Sequence, residues 1–292
     1  MSLNLTDSNR EQLEILIQLA MIEDVGPGDI TTEAIYSGTE KSKGSFVAKQ
    51  DGVIAGIEVA SLIAGMIDLE IDFYPLKNDG DRVLKGDVIA KIEGRSDSIL
   101  TAERIILNFM QRMSGIATQV RAFTDIISHT KAVLLDTRKT APGHRVTDKM
   151  AVVIGGGQNH RYGLFDRYLI KENHIRVAGG IPQAIKACVD HRNESGQPEI
   201  EIEIEVTDLE EFQQAVEFES VKYIMLDNMS TETMKKVVEL NRGRKLLEAS
   251  GNVNLGTVKN IAETGVDFIS VGSITHSVVA MDISLLFKKV KK

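Results

Sequence analysis

The residues best suited to bind a small anion are concentrated between Asp136 and Arg176. This stretch holds eight Lys or Arg residues against four acidic residues, whereas the whole chain has a formal net charge of -8. Three of the six histidines, His144, His160 and His174, also lie there. A local excess of positive charge attracts an anion whatever the net charge of the protein. The stretch therefore predicts a site for a small molecule with several negative charges, and not for DNA.

The arginines and lysines of this stretch suit two kinds of anion recognition. Arg138 and Arg161 can bind a carboxylate or a phosphate through two parallel hydrogen bonds, while Lys139 and Lys171 act as compact charges. A basic stretch is more often a solvated surface, but these charges stand at the ends of short apolar segments and beside the triple glycine at 155–157. We therefore prefer the functional interpretation.

The composition predicts a globular protein without a membrane anchor. The 292 residues, of which 42% are hydrophobic and 26% charged, suit one large domain or two modest ones. The amino terminus has neither a basic start nor an apolar stretch, and no later segment approaches the length of a membrane span. The single cysteine, Cys188, cannot form an internal disulfide. We expect a cytoplasmic protein, and its acidic balance gives no support for nucleic-acid binding.

The chain changes its pattern near residue 115. Residues 1–115 mix helical and strand patterns and predict an α+β unit, which ends in a helix over 98–114. Gly115 follows that helix, and we interpret it as a hinge. Beyond residue 118, short apolar strands alternate with helices; the strands are expected at 133–135, 169–170, 200–205, 223–226, 246–249 and 268–271.

This alternation predicts parallel βα units, which can close into a barrel. Six units are fewer than the eight of the common barrel. An α/β fold with an incomplete, six-stranded barrel over residues 116–276 is our first expectation, and a doubly wound open sheet is the alternative.

Polar or glycine-rich sequence follows all six predicted strands. In βα barrels the loops after the strands converge on one face and build the active site. We therefore expect the following strand ends to meet: Asp136-Thr137-Arg138-Lys139, Lys171, Glu205, Asp227, Ser250-Gly251-Asn252 and Gly272-Ser273.

Two of these strand ends are acidic, and two consist of small residues. Glu205 and Asp227 could accept hydrogen bonds from sugar hydroxyls, hold Mg²⁺ or stabilise a developing cation. An ion pair with a nearby lysine is a further interpretation, and it is compatible with function. The loops at 250–252 and 271–273 can present backbone N–H groups to a phosphate.

Seven stretches, in order along most of the chain, resemble quinolinate phosphoribosyltransferase, the carboxylating nicotinate-nucleotide pyrophosphorylase of NAD biosynthesis. They are AERIILNFMQRMSGIAT (102–118), DTRKTAPGHR (136–145), GGGQNHRYGLFDRYLIKENHI (155–175), EIEVTDLEE (203–211), IMLDNM (224–229), LEASGNV (247–253) and ISVGSITHS (269–277). The resemblance implies an N-terminal α/β sandwich domain over 1–115, joined by the C-terminal segment 277–292, and the incomplete α/β barrel over 116–276. It also implies a homodimer or a multiple of dimers.

The activity implied by the resemblance is a glycosyl transfer. A phosphoribosyl group would pass from phosphoribosyl pyrophosphate to the ring nitrogen of quinolinate, the 2-carboxylate would leave as CO2, and nicotinate mononucleotide and pyrophosphate would be the products. By match to the family motifs, the residues lining the quinolinate pocket would be Thr137, Arg138, Lys139, His160, Arg161 and Lys171, with Arg104 entering from the partner subunit.

The resemblance also distributes the remaining roles. Glu205 and Asp227 would face the ribose and the cofactor Mg²⁺, which would be held through water and the pyrophosphate. Lys139, Lys171, Glu205 and Asp227 would be catalytic, and no general base is assigned. The 5'-phosphate would be held by the residues of the two small-residue loops, namely Ser250, Gly251, Asn252, Val271, Gly272 and Ser273.

Two alternatives stay open at this point. A phosphoribosyltransferase for a different acceptor, such as nicotinate, would have no need of Arg104 and Arg161. A noncatalytic regulator built on the same barrel would bind both ligands and release no pyrophosphate. Ala141, His144 and Glu172 depart from the residues more usual in the family, but none removes a charge from the expected pocket.

Overall fold

The computed structural model describes residues 6–36 and 40–289. The chain divides into two compact units, of which the first comprises Met1–Arg121, Thr140–Gly156 and Thr275–Lys292 and the second Ala122–Lys139 and Gly157–Ile274. Residues 140–156 therefore cluster with the first unit, although they lie inside the predicted barrel domain. The sequence-based boundaries at 115 and 276 stay a prediction, and residues 1–5 and 290–292 lie outside the described part of the chain.

The described secondary structure follows the alternation expected from the sequence. None of the helices in the described ranges combines the length and the apolarity needed to cross a membrane. In chain order the elements are α1 (Asp7–Asp24), α2 (Ile30–Ile35), β1 (Lys41–Ala48), β2 (Gly52–Val53), α3 (Ile57–Ile67), β3 (Asp72–Pro75), β4 (Arg82–Val83), β5 (Val88–Arg95), α4 (Ser96–Ile127), β6 (Val133–Leu135), α5 (Arg145–Gly155), β7 (Tyr168–Ile170), α6 (Glu172–Ala178), α7 (Ile181–Glu194), β8 (Ile202–Val206), α8 (Leu209–Ala215), β9 (Val221–Asp227), α9 (Thr231–Asn241), β10 (Leu246–Ser250), α10 (Val258–Ala262), β11 (Phe268–Ser270), α11 (Ser273–His276) and β12 (Ile283–Lys289).

The first unit contains a four-stranded antiparallel sheet in the order β12-β1-β5-β3. Its last strand comes from the carboxyl-terminal segment of the chain, and it pairs with β1 over seven residue pairs. Helix α3 contacts β3 and buries Ile57, Val59, Ala60, Ile63 and Ala64, which recur at helical spacing. The expected mixture of helix and antiparallel sheet is confirmed.

Helix α4 does not end where the sequence predicted. It runs from Ser96 to Ile127 and passes through Gly115, so the interpretation of Gly115 as a hinge was wrong. A Cβ atom at this position would lie 2.2 Å from the carbonyl oxygen of Val279. The glycine lets another segment of the same unit approach the helix, which is a packing role and not a conformational one.

The second unit is built on a six-stranded parallel sheet in the order β6-β11-β10-β9-β8-β7. Each of the six strands expected from the sequence is present, and every neighbouring pair is parallel. Before β7, a parallel bridge joins Gln158 to Leu135 on the open side of β6. The incomplete six-stranded barrel is therefore confirmed, and the open doubly wound sheet is not.

The register of the strands determines which side chains share the inner face. Glu205 of β8 is paired with Met225 of β9, and Met225 is paired with Glu248 of β10. Paired residues of parallel strands point to the same side of a sheet, and so do residues two apart on one strand. Glu203 therefore shares a face with Glu205 and Glu248. Two fully buried glutamates, Glu203 and Glu248, stand on this face among apolar neighbours.

Candidate active site

A cavity of about 160 Å³ lies at the carboxyl ends of the parallel strands in the second unit. An apolar cavity of about 150 Å³ can admit a benzene ring, so this space suits one small aromatic molecule. Seven of the residues predicted for the site line it, and they are joined by four others that the sequence did not single out. The lining residues are Thr137, Arg138, Lys139, His160, Arg161, Leu169, Lys171, Met225, Glu248, Ser250 and Ser270.

Asp136 connects two of the segments that form the cavity wall. Its carboxylate is fully buried and accepts a hydrogen bond of 2.8 Å from the backbone N–H of His160. Its own backbone N–H donates to the carbonyl of Gln158. Because the residues after β6 are held against the residues before β7, Arg138 and Arg161 reach the same cavity despite their distance in sequence.

Arg161 lies in a strongly positive environment. Burial lowers the pKa of its guanidinium, and the charge of Arg138 lowers it further. One Nη1 hydrogen bond of 3.1 Å goes to the carbonyl of Arg167, whereas the buried Nε has no hydrogen-bond partner among the described residues. A bound carboxylate would supply both the missing acceptor and the missing negative charge.

Lys171 and Glu205 form an ion pair at the ends of β7 and β8. The backbone N–H of Lys171 also donates to Nδ1 of His174 at 2.9 Å, where α6 begins. The ion-pair interpretation of Glu205 is therefore correct for this lysine, and His174 lies at the N-terminus of the helix as part of its cap. The pair leaves the side chain of Lys171 45% exposed.

Asp227 lies one strand further along, at the end of β9. Its Oδ2 accepts a hydrogen bond of 2.8 Å from the side chain of Asn228, and Asn228 in turn accepts one of 3.0 Å from Asn252. Asn228, Gly251 and Asn252 line a second cavity of about 240 Å³. Gly251 has a φ of 96°, and a Cβ there would lie 2.1 Å from Oδ1 of Asn228. The predicted loop at 250–252 is thus divided between the two cavities. Ser250 lines the first cavity, whereas Gly251 and Asn252 line the second.

Three other predicted site residues, Val271, Gly272 and Ser273, do not line the first cavity. Val271 is buried, and its N–H donates to the carbonyl of Leu135 at 3.0 Å. Gly272 is part of the turn that follows, and Ser273 begins the short helix α11. Ser270, one residue before this loop, is the lining residue.

Arg104 lies on the part of α4 that belongs to the first unit, where it is exposed. It is not among the residues that line the cavity. Its predicted entry into the site of a second subunit concerns an assembly of two chains and stays a prediction.

The cationic stretch of the sequence is divided between the two units. Arg145 and Lys149 belong to α5, in the first unit, and Lys149 is only 2% exposed. On the same helix, Asp148 is fully buried and pairs with Arg112 through two hydrogen bonds of 2.8 Å. Part of the charge that the sequence suggested for ligand binding therefore serves packing.

A buried cluster of His160, Glu203 and Glu248 was missed. His160 Nε2 lies 3.2 Å from Oε2 of Glu203 and 3.4 Å from Oε2 of Glu248, and Glu203 also pairs with Arg167 at 3.2 Å. Alternation in EIEIEV places Glu203 on the same face as Glu205, but only the strand end was predicted to be functional. The signal in the sequence was a glutamate with apolar neighbours on both sides inside each of two strands, Glu203 in β8 and Glu248 in β10.

The cluster strongly perturbs its own proton affinities. Burial lowers the pKa of His160, but the hydrogen bonds and charges of the two glutamates outweigh it and raise the pKa to about 9. Burial raises the pKa of Glu248, and the charge of Glu203 raises it further. For Glu203 the effect of burial is outweighed by His160 and Arg167, and its pKa is lowered.

Two sets of residues offer ligands for a metal ion. Glu205 and Asp227 carry the hard carboxylate oxygens that Mg²⁺ prefers, and both stand at strand ends of the barrel. The buried ligand atoms of His160, Glu203 and Glu248 also lie within 4.8 Å of one another. At this second place the guanidinium of Arg167 already neutralises Glu203, which disfavours a further cation.

Comparison with known proteins places both parts of the chain in one group. Residues 29–114 match the family described as the N-terminal domain of quinolinate phosphoribosyl transferase, and residues 116–286 match its C-terminal domain. A relative from Nicotiana glauca, named mitochondrial quinolinate phosphoribosyltransferase [decarboxylating] 2, is 46% identical over 290 residues, which cover 94% of this chain and 81% of the relative.

Bacterial proteins give the same result. A probable nicotinate-nucleotide pyrophosphorylase [carboxylating] of Bacillus subtilis is 37% identical over 277 residues, which cover 95% of this chain and 94% of the relative. The solved structure of the nicotinate-nucleotide pyrophosphorylase of Francisella tularensis is 39% identical and superposes with a TM-score of 0.90, covering 98% of this chain and 100% of that one.

Proposed function

The chain belongs to the quinolinate phosphoribosyltransferase family, and we propose that it transfers a phosphoribosyl group to quinolinate in the cavity of the second unit. The donor is phosphoribosyl pyrophosphate, and the products are nicotinate mononucleotide, pyrophosphate and CO2. The observation that carries this proposal is a cavity the size of one aromatic ring, lined by two arginines and two lysines. Quinolinate is a planar ring with two adjacent carboxylates, which matches the cavity in both size and charge.

The acceptor would be bound by charge and by fixed geometry. Arg138 and Arg161 would each form two parallel hydrogen bonds with a carboxylate. Binding would relieve the repulsion that lowers the pKa of Arg161. Thr137 and Lys139 follow β6 directly and would limit the orientations open to the ring. A fixed orientation matters because the ring nitrogen must face C1 of the ribose.

The transfer step would be served by the strand ends next to the acceptor. As pyrophosphate leaves, C1 of the ribose gains positive charge, which the carboxylates of Glu205 and Asp227 would stabilise. Lys139 and Lys171 would offset the negative charge of the leaving group. The pair of Lys171 with Glu205 keeps both side chains at the edge of the site before the donor arrives.

Glu205 and Asp227 would also hold Mg²⁺, through water and the pyrophosphate. When bound, the ion would neutralise charge on the leaving group. The 5'-phosphate of the donor would lie against the loops at 250–252 and 271–273. Gly251 supports this role, because its positive φ and its contact with Asn228 leave no room for a side chain.

Loss of CO2 would follow from the first step. Once the nitrogen is bonded to the ribose, the pyridinium ring accepts the electron pair released when the C2–carboxylate bond breaks, and C2 then takes a proton. The residues of the cavity would contribute by holding the ring and by excluding water, so no dedicated base is required.

Assembly and location are part of the same proposal. A homodimer, or a multiple of dimers, would bring the exposed Arg104 of one subunit to the cavity of the other. A cytoplasmic location is supported by the single cysteine, Cys188, although the Nicotiana glauca relative is named mitochondrial. Fractionation of cells that express the chain at its natural level would test the location.

A turnover assay tests the reaction and the acceptor together. Purified protein would be incubated with Mg²⁺, phosphoribosyl pyrophosphate and quinolinate labelled in the 2-carboxylate, in parallel with nicotinate as acceptor. Labelled CO2 equal in amount to nicotinate mononucleotide is the expected result. Product from nicotinate alone would indicate a phosphoribosyltransferase with nicotinate as its acceptor. Binding of both ligands without pyrophosphate release would indicate a noncatalytic regulator.

A further inference from the structure

Glu248 is the one acidic residue among those that line the cavity. It is fully buried; its Oε2 lies 3.4 Å from Nε2 of His160, and its Oε1 has no hydrogen-bond partner among the described residues. A buried polar group without a partner is costly, and an ionised one much more so. The position is also unusual electrostatically, because a carboxylate here would repel the dianion that the surrounding cations attract.

The hydrogen bonds of His160 indicate where the protons of this cluster lie. The backbone N–H of Arg161 donates to Nδ1 of His160 at 2.7 Å, so Nδ1 must offer a lone pair. The remaining ring proton is then on Nε2, which faces Oε2 of both glutamates. The raised pKa of His160 would favour a second ring proton, but the N–H of Arg161 excludes it from Nδ1, so the extra proton of the cluster lies on a carboxyl group. Both ring nitrogens are therefore engaged within the protein. His160 therefore orients both Arg161 and the two glutamates, and its predicted contact with the acceptor stays a prediction.

Arg167 distinguishes the two glutamates. Its guanidinium pairs with Glu203, which holds that residue ionised. Glu248 has no such partner, and the groups that face it are Glu203, the Nε2 edge of His160 and the hydroxyl of Ser270. That hydroxyl donates to the carbonyl of Ala249 at 3.5 Å. Burial and the neighbouring negative charge both raise the pKa of Glu248.

We propose that Glu248 is protonated in the working enzyme and binds the acceptor, by presenting a neutral O–H donor to one carboxylate of quinolinate in the cavity. Since Oε2 faces the N–H of His160, the proton lies on Oε1. The proposal rests on the proposed function, and it adds an acceptor-binding residue that carries no charge. A dicarboxylate bound by the two arginines would thus also receive a hydrogen bond from a neutral donor.

A bound metal ion is the competing explanation of the same geometry. The three side chains could hold a divalent cation, in which case Glu248 would be ionised. Arg167 beside Glu203 argues against it, as does the excess of positive charge on the cavity wall. A proton satisfies the buried carboxyl without adding a further charge.

Two substitutions separate a neutral donor from a carboxylate. Glu248→Gln keeps the shape and a donor but cannot ionise, whereas Glu248→Leu keeps the volume and removes the donor. We expect Glu248→Gln to keep the quinolinate KM within about 3-fold of wild type at pH 7, and Glu248→Leu to raise it about 10- to 100-fold. The KM for phosphoribosyl pyrophosphate should not change in either. Glu239→Gln, on an exposed face of α9, is the matched control and should behave as wild type.

The pH profile provides a second readout, which a purely structural role would not alter. Burial and the charge of Glu203 raise the pKa of Glu248, so its proton is lost only at a pH above the ordinary range of a glutamate. When the carboxyl group ionises, the cavity gains a negative charge, so the quinolinate KM of wild type should rise as the pH is raised above that of the working enzyme. In Glu248→Gln this rise should be absent, while changes due to lysine titration should occur in both proteins.

Several outcomes would overturn the inference. They are equal impairment of Glu248→Gln and Glu248→Leu, an unchanged quinolinate KM in Glu248→Leu, or an alkaline rise that merely moves to lower pH in Glu248→Gln, which would place the proton on His160. A stoichiometric metal in purified wild type that is lost in Glu248→Gln would establish the metal site instead. Wild type without turnover of quinolinate would refute the proposed function, independently of these variants.

Discussion

At the scale of single residues, the site is defined by positive charges that crowd one another. Arg138 lowers the pKa of Arg161, and a buried N–H of Arg161 has no acceptor among the described residues. Such an arrangement is unfavourable for the empty protein, and a dianion between the two groups would relieve it. The affinity for quinolinate should therefore depend on these arginines far more than on the exposed cations nearby.

Substitution of Arg161 tests this expectation. Arg161→Ala should raise the quinolinate KM by at least about 100-fold, because a buried bidentate pair is lost, while the thermal midpoint of unfolding stays close to wild type. Arg161→Lys should be impaired to a lesser degree, since it keeps the charge and loses the fork. Arg176→Ala is the control: Arg176 is 72% exposed and pairs with Glu172 in its own helix. An unchanged KM in Arg161→Ala would remove Arg161 from the acceptor site.

At the scale of elements, periodicity predicted the strands better than it predicted the roles of charged residues. All six parallel strands were anticipated, because their short apolar runs alternate with helical spacing. Helix α5 was missed, because RVTDKMAVVIG carries charges that resembled part of the ligand site. The contact that buries Asp148 comes from Arg112, a residue 36 positions earlier, and no local pattern reveals it.

The prediction of the site succeeded and failed for the same reason as the prediction of the elements. Residues at strand ends were found because the barrel brings all of those ends to one face. Glu203 and Glu248 were not found, because they lie in the middle of strands, where their proximity depends on strand order and register. Lys149 shows the opposite error, since a charged residue in a functional-looking motif is buried in the other unit.

Gly115 provides a test of packing at the scale of an element. Gly115→Ala would place a Cβ 2.2 Å from the carbonyl oxygen of Val279, and we expect it to reduce the free energy of unfolding by about 1–3 kcal/mol. Gly65→Ala, within helix α3, is the matched control. No atom lies within 4 Å of the added Cβ there, and the better helix propensity of alanine should raise stability by about 0.5–1 kcal/mol. Urea denaturation of the three proteins measures both values, and equal stabilisation by the two substitutions would show that the contact with Val279 does not require a glycine at position 115.

At the scale of the whole molecule, the predicted dimer determines whether one chain contains a complete site. Arg138 and Arg161 line the cavity of their own chain, whereas Arg104 is exposed on the other unit and is absent from the lining. If Arg104 acts across a dimer interface, each site consists of residues from two chains. Defects in Arg104 and in Arg161 could then be carried by different subunits of one dimer.

Mixing two inactive variants tests this arrangement. Arg104→Ala and Arg161→Ala should each be inactive at quinolinate concentrations that saturate wild type. After subunit exchange, half of the dimers are hybrids, and each hybrid contains one site without either substitution. The mixture should therefore regain about a quarter of wild-type activity. A mixture of Arg138→Ala and Arg161→Ala should regain none, because every hybrid site still lacks one cavity arginine. If Arg104 acted within its own chain, the first mixture would also stay inactive, and the dimer would have no part in the chemistry.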